Sequence, residues 1–241
     1  MRYLVPVAGA LIAGLAFLSG CSAQQDAESE EKKPRASKVV ESAPEPLTGA
    51  ELKALTFKDG EVLQAREGGM EVTEFAAEEW ERKFPPVSDP YCQFVVDVRG
   101  GNNSSAGVSQ IFNWKDSIFP GDSIIAAYPA GRAESEFDSL REALDRCEPY
   151  EGESYAGDFR ARIEERSTAE FGDESLTFLE IIPSDHPDDP RERVEHFTVV
   201  RVGDVIATFS RYDLGRTTPF PVDLIKKQVE RLAEAQEQRV R

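Results

Sequence analysis

The chain has 241 residues, 28 basic and 45 acidic side chains, and a formal net charge of −17. Hydrophobic residues make up 40% and charged residues 30%, which excludes a polytopic membrane protein, a collagen and a wholly disordered chain. The acidic balance argues against nucleic acid as a partner, because phosphate binding needs clustered Lys and Arg. The length suits one domain with appendages, or two small domains.

Met1 and Arg2 form a short basic start, and Leu4 to Leu18 is an uncharged apolar run of 15 residues. A membrane span needs about 20 residues, so the run has the length of a signal-peptide core instead. Leu18-Ser19-Gly20-Cys21 follows directly. This resembles the lipobox of bacterial lipoprotein precursors. The resemblance implies a signal peptide over residues 1–20, diacylglycerol on the Cys21 thiol, cleavage just before Cys21 and acylation of the new amine. Two acyl chains anchor stably where one holds only marginally. The expectation is a lipid-anchored protein at the cell membrane, on its extracytoplasmic face; the alternative is an ordinary secretory signal with a chance Cys. Cleavage would remove one charged residue, Arg2, leaving 27 basic against 45 acidic side chains.

Residues 21–46 read as the lipidated Cys and a disordered linker, since Val39 and Val40 are the large apolar residues in a tract of Ala, Ser, Pro and mixed charge. Patterned sequence begins at Leu47. Thr48 suits the cap of a short helix through Phe57, with Leu52, Leu55 and Phe57 inward. Glycines 60, 68 and 69 punctuate two weak strands, Val62–Arg66 and Glu71–Phe75. Tyr91–Val98 is apolar and fits helix or strand, and residues 100–105 (GGNNSS) are a loop. Val108, Phe112 and Trp114 at even spacing predict a strand over Gly107–Trp114, and Ser123–Tyr128 predicts the next. Phe137, Leu140, Leu144 and Cys147 share one face of a helix over Ala130–Cys147. Phe159, Ala161 and Ile163 alternate with charge on a half-buried strand, and Leu176–Ile182 is another. Val194–Val202 and Val205–Phe209 flank Gly203-Asp204, a two-residue hairpin turn that pairs Val202 with Val205, Val200 with Ala207 and His196 with Arg211. Pro221–Gln238 closes the chain as an amphipathic helix with Val222, Ile225, Val229 and Leu232 as its buried stripe. Together these predict a single α+β domain over residues 47–241, a mostly antiparallel β-sheet covered on one face by two or three helices.

Three cysteines leave Cys92 and Cys147 once Cys21 is acylated. In an oxidising compartment an even pair defaults to a disulfide. Two free buried thiols and a redox pair are the alternatives, although no CxxC spacing supports redox chemistry. The sequence carries no GxSxG, HExxH, P-loop, SxxK or EF-hand pattern, so catalytic residues and cofactors are expected to be none. His196 reads as a structural strand-end residue. His186 sits among Asp185, Asp188 and Asp189 without regular ligand spacing, so that stretch reads as a solvated loop rather than a metal site. Trp80 and Trp114 read as packing residues, with ligand stacking as the alternative.

Several features then occur in one order: Pro85-Pro86 before Pro90-Tyr91-Cys92, a helix ending in Cys147, Gly172-Asp173-Glu174-Ser175 before a strand, the Val200–Val205 hairpin and a closing helix. This arrangement, over about residues 47–238, resembles the extracytoplasmic sensor-type domain of actinobacteria, found as free lipoproteins and as the external part of PknH-type mycobacterial serine/threonine kinases. The resemblance implies an antiparallel sheet with flanking helices and a ligand-binding cleft. The kinase domains of that type carry two disulfides, whereas this mature chain has cysteines for one. The functional expectation is a non-enzymatic domain that binds or senses an unidentified small molecule or envelope component. A structural lipoprotein docked on an envelope protein is the alternative, and an envelope hydrolase stands behind both. The acidic surface favours a neutral or cationic ligand unless a local basic cleft overrides it; Arg160 and Arg162 share one strand face.

Overall fold

Residues 44–75, 85–154, 157–184 and 188–240 are described by a computed structural model. The signal peptide, Cys21, most of the linker, Trp80 and His186 lie outside the described residues. The elements in chain order are α1 (Gly49–Leu55), β1 (Ala65–Phe75), α2 (Pro90–Gly100), β2 (Ala106–Trp114), β3 (Gly121–Ala127), α3 (Arg132–Arg146), β4 (Tyr150–Ser154), β5 (Gly157–Arg166), β6 (Glu174–Ile182), β7 (Arg193–Val202), β8 (Val205–Leu214) and α4 (Val222–Val240). All strands pair antiparallel in one eight-stranded sheet of order β1-β2-β3-β8-β7-β6-β5-β4. The architecture is a single-domain α+β fold.

Local chemistry explains most boundaries. Thr48 caps α1 through a capping box: its Oγ1 accepts from Glu51 N at 3.3 Å while its own N–H donates to Glu51 Oε2 at 2.7 Å. The apolar stretch at Tyr91–Val98 is helical. Asp89 accepts from Tyr91 N and Cys92 N at 2.9 and 2.8 Å, and Pro90 opens the first turn. The β7–β8 hairpin holds the register its turn dictates, with Val202 opposite Val205, Val200 opposite Ala207 and His196 opposite Arg211. Gly203 supplies the positive φ of +55° that the turn needs.

Four expectations are corrected. The two weak strands are one strand, β1, whose register shifts between Ala65 and Met70; the Asn113 amide bridges the irregularity to Gly69 O at 3.0 Å. Gly68-Gly69 therefore makes a bulge within a strand rather than a turn between two. Strand β4 pairs with β5 and had no sequence signal, because residues 150–154 (YEGES) lack an apolar alternation. Val222 is 48% exposed, and Leu224, Ile225, Gln228 and Leu232 form the buried side of α4. Gln228 is polar yet belongs there because its Nε2 donates to Leu55 O at 3.2 Å.

The fourth correction concerns layers. Helices cover both faces of the sheet. On one face α1 and α4 pack with Val108, Phe112, Trp114, Ile125, Val200, Val205, Ala207 and Phe209. On the other, α2 and α3 pack with Ala126, Phe178, Phe197, Val199 and Ile206. Adjacent residues such as Val199 and Val200 point to opposite faces, and both are buried, so each face needs its own cover.

Two devices fix α2 and α3. The Cys92–Cys147 disulfide joins the first turn of α2 to the end of α3. Closing a loop of that length is worth about 4 kcal/mol in the chain-entropy account. Beneath it, the Arg99 guanidinium meets Glu180 Oε1 at 2.9 Å and lies 4.3 Å from the Phe197 ring centroid, while the Tyr150 hydroxyl donates to the same carboxylate. Burial alone would push the Glu180 carboxyl up, but Arg99 and Tyr150 outweigh it and hold the carboxyl below its ordinary 4.5. Glu180→Gln leaves Arg99 buried without its counter-charge and is expected to cost about 3 kcal/mol, read as a lower urea midpoint at pH 7. A carboxyl with a depressed folded pKa stabilises above its unfolded pKa and loses that contribution as pH falls. The gap between wild type and variant should therefore narrow below about pH 4.5. A gap that stays constant with pH would mean Glu180 is not ionised in the fold.

Candidate ligand-binding site

The helices cover the sheet unequally. The α1/α4 layer lies over β1, β2, β3, β8 and the Val200–Val202 end of β7. At the other end of β7 the same face continues across β5 and β6. Register places Arg162, Glu164 and Arg166 of β5 beside Ile181, Leu179 and Thr177 of β6, and these beside Val194, His196 and Thr198 of β7. Asp213, Arg211 and Phe209 of β8 complete the rows. Leu179, Ile181 and Val194 form a small buried apolar cluster separate from the two main cores.

The polar groups fall into two kinds. Those on the rim are spent on one another. Arg162 pairs with Glu192 at 3.0 Å and Glu164 at 3.2 Å, Arg166 pairs with Glu164, and Asp213 accepts from Arg216 at 2.8 Å and Thr218 at 3.1 Å. Arg160, expected to share a basic face with Arg162, is 81% exposed and pairs with Glu151 at 2.6 Å, so it takes no part. The inner groups are less satisfied. Arg211 lies 5.1 Å from the Trp114 ring centroid and touches one carboxylate, Asp116, at 3.2 Å. The buried nitrogens Trp114 Nε1 and His196 Nδ1 have no hydrogen-bond partner among the described residues. Burial pushes the His196 imidazole below its ordinary 6.5 against the opposing pull of its own backbone, and the Arg166 charge adds to the lowering, which favours the neutral ring.

The hairpin turn predicts His196 opposite Arg211, where it reads as structural, and Trp114 reads as packing. Trp114 does pack: it stacks on Phe112 at 5.4 Å and meets Phe220 edge-on at 5.5 Å. Its indole also leans over Gly121, where an added Cβ would stand 2.6 Å from Cζ2 and 2.8 Å from Nε1. Gly121 pairs with Arg211, which in turn pairs with His196. No spacing in the sequence signals this, because the β3–β8 pairing joins distant segments.

Other candidates carry less. Asp89, Cys92 and Cys147 bring ligand-type atoms within 4.8 Å, but the two sulfurs are bonded to each other and Asp89 caps α2. A hollow of about 190 Å³ beside α1 is lined by Lys53, Phe57, Lys58, Met70, Val72 and Gln110. There Gln110 is saturated by Phe57 N at 3.1 Å and Phe57 O at 2.8 Å, and Lys53 by Glu74 at 2.9 Å. Among the described residues no helix is long and apolar enough to cross a membrane.

No family model matches the chain, and no curated protein does. Among solved structures the chain is similar to the extracellular domain of PknH from Mycobacterium tuberculosis, with a TM-score of 0.54 and 14% identity over 81% of this chain and 100% of that one. The Rv0999 ortholog from Mycobacterium smegmatis aligns over 79% of this chain and 94% of that one at 12% identity, with a TM-score of 0.30 that carries no argument. The class defined is therefore one of fold: an antiparallel α+β domain of the kind seen in the PknH extracellular domain.

A histidine with a lowered folded pKa stabilises above its unfolded pKa and loses that contribution as pH falls. Stability should accordingly decline below about pH 6.5, and His196→Gln should flatten that part of the curve in urea unfolding between pH 5 and 7. An unchanged slope in the variant would place the decline elsewhere.

Proposed function

We propose that this chain is a lipid-anchored extracytoplasmic lipoprotein whose domain binds or senses a small molecule and performs no catalysis. The observation that carries the reading is the fold shared with the PknH extracellular domain over most of both chains. At the outer half of one sheet face, Leu179, Ile181 and Val194 form a small buried apolar cluster bordered by polar side chains, which supports it. The anchor rests on the apolar run of residues 4–18 and the Leu-Ser-Gly-Cys sequence ending at Cys21. On this reading the domain of residues 47–241 lies on the extracytoplasmic side of the membrane.

Replacing Cys21 with Ser should move the protein from the membrane pellet to the soluble fraction. A variant that still sediments with membranes means that something other than the lipid holds it. For binding, native mass spectrometry of the mature chain purified from its own host should show a reproducible co-purifying mass. A bare chain in repeated preparations counts against a small-molecule ligand.

A further inference from the structure

We propose that Trp114, Arg211 and His196 form an anion-recognition site that takes the carboxylate or phosphate group of a small ligand; this deepens, and rests on, the binding-domain reading above. The indole Nε1 lies above Gly121 on β3, Arg211 is the partner of Gly121 on β8, and His196 is the partner of Arg211 on β7. Neighbouring strands are about 4.8 Å apart, so Gly121, Arg211 and His196 occupy consecutive backbone positions along one row, and the Arg211 guanidinium lies 5.1 Å from the ring centroid of the indole above Gly121.

Their chemistry selects the ligand. An indole N–H only donates, and a guanidinium carries five donors and no acceptor. The indole nitrogen is buried with no partner, although a buried donor of this kind ordinarily has one. The guanidinium side chain is 11% exposed and meets its carboxylate partner through one nitrogen at 3.2 Å, longer than the 2.7–2.9 Å of a good charge-assisted bond. That partner, Asp116, lies on the loop between β2 and β3 and is 73% exposed. Asp116 thus holds the place that a ligand anion would take, through a contact weak enough to be displaced. A carboxylate or phosphate offers the paired acceptors that a guanidinium fork matches. Leu179, beside His196 in the same row, belongs to the buried apolar cluster with Ile181 and Val194, so apolar side chains border the row. The ligand class is therefore a small acid with an anionic head and a compact apolar part. This local demand runs against the overall charge of −17, which disfavours anions at long range and is screened beyond about 8 Å at physiological salt.

The test uses the full-length chain carrying Trp80→Phe, which leaves Trp114 as the only indole. Its emission is followed while inorganic phosphate or, separately, hexanoate is added at constant ionic strength. The expected result is a saturable change with at least one probe. Phosphate alone would mark a phosphoryl ligand, and hexanoate alone a carboxylic acid. Arg211→Gln should weaken binding at least tenfold, and Asp116→Asn should tighten it several-fold by removing the competing carboxylate. If Arg211→Gln fails to fold by circular dichroism, the exposed Asp116→Asn carries the comparison. No saturable change with either probe, with or without Asp116→Asn, would overturn the proposal, as would an unchanged constant in folded Arg211→Gln. Native mass spectra separate the two readings. A co-purifying mass retained by Arg211→Gln sinks the anion site and leaves the binding domain standing, whereas no mass in the wild type sinks the latter.

Discussion

Val199 and Val200 are neighbours in sequence, face opposite sides of the sheet, and are both fully buried. The β7–β8 hairpin that contains them sits inside the sheet, between β6 and β3. Its two-residue turn fixes the register, and the register fixes which side chains reach each face. A strand pair apolar on both faces cannot leave either face in water, so helices must lie on both sides. A one-residue slip would send Val200 and Val202 to the α2/α3 side and expose the bed on which α4 lies. The layers, and the end of β7 that α4 leaves to other cover, follow from that hairpin.

The two helix layers are held by different chemistry. On one side the contact is largely apolar and aromatic, with Phe112, Trp114, Phe209 and Phe220 clustered at ring separations of 5.2–5.5 Å. Arg231 adds polar ties there, donating to Leu55 O and Thr56 O and pairing with Glu61 at 2.6 Å. On the other side α2 and α3 are clamped by the Cys92–Cys147 bond and the Arg99–Glu180–Tyr150 cluster. A buried ion pair is not by itself a stabilising choice over apolar packing. Its evident consequence here is positional: Arg99 on α2, Glu180 on β6 and Tyr150 on β4 meet at one carboxylate.

Much of this was legible in the residues. Wherever a local rule had a single outcome, the sequence sufficed: the Thr48 cap, the Phe137–Leu140–Leu144 stripe of α3 and the Gly203-Asp204 hairpin. The rest depended on contacts between distant segments. Tyr91–Val98 is short and apolar, which is ambiguous between helix and strand, although Asp89-Pro90 in front of it is a helix-start signal. Gln228 carries no such signal, because burial of a polar residue is readable only once its partner, Leu55 O, is in place. The candidate site was half legible. The turn predicted His196 against Arg211, but the position of the Trp114 indole over Gly121 depends on β2 and β3 pairing beside β8.

Net charge is a property of composition and acts through a screened field, so it describes encounter better than recognition. Recognition is decided by donors and acceptors that water no longer reaches. On this face the rim carries matched charges, with Arg162, Arg166 and Glu164 tied together. The inner row carries donors in excess: one indole N–H without an acceptor, and one guanidinium with a single long contact. An acidic protein can hold such a row only where the acids are turned to other partners. Glu164 and Glu192 are occupied by β5 arginines, and Asp213 by Arg216 and Thr218, which leaves Asp116 on its exposed loop as the carboxylate at Arg211. The surface charge and the local excess of donors therefore coexist without conflict.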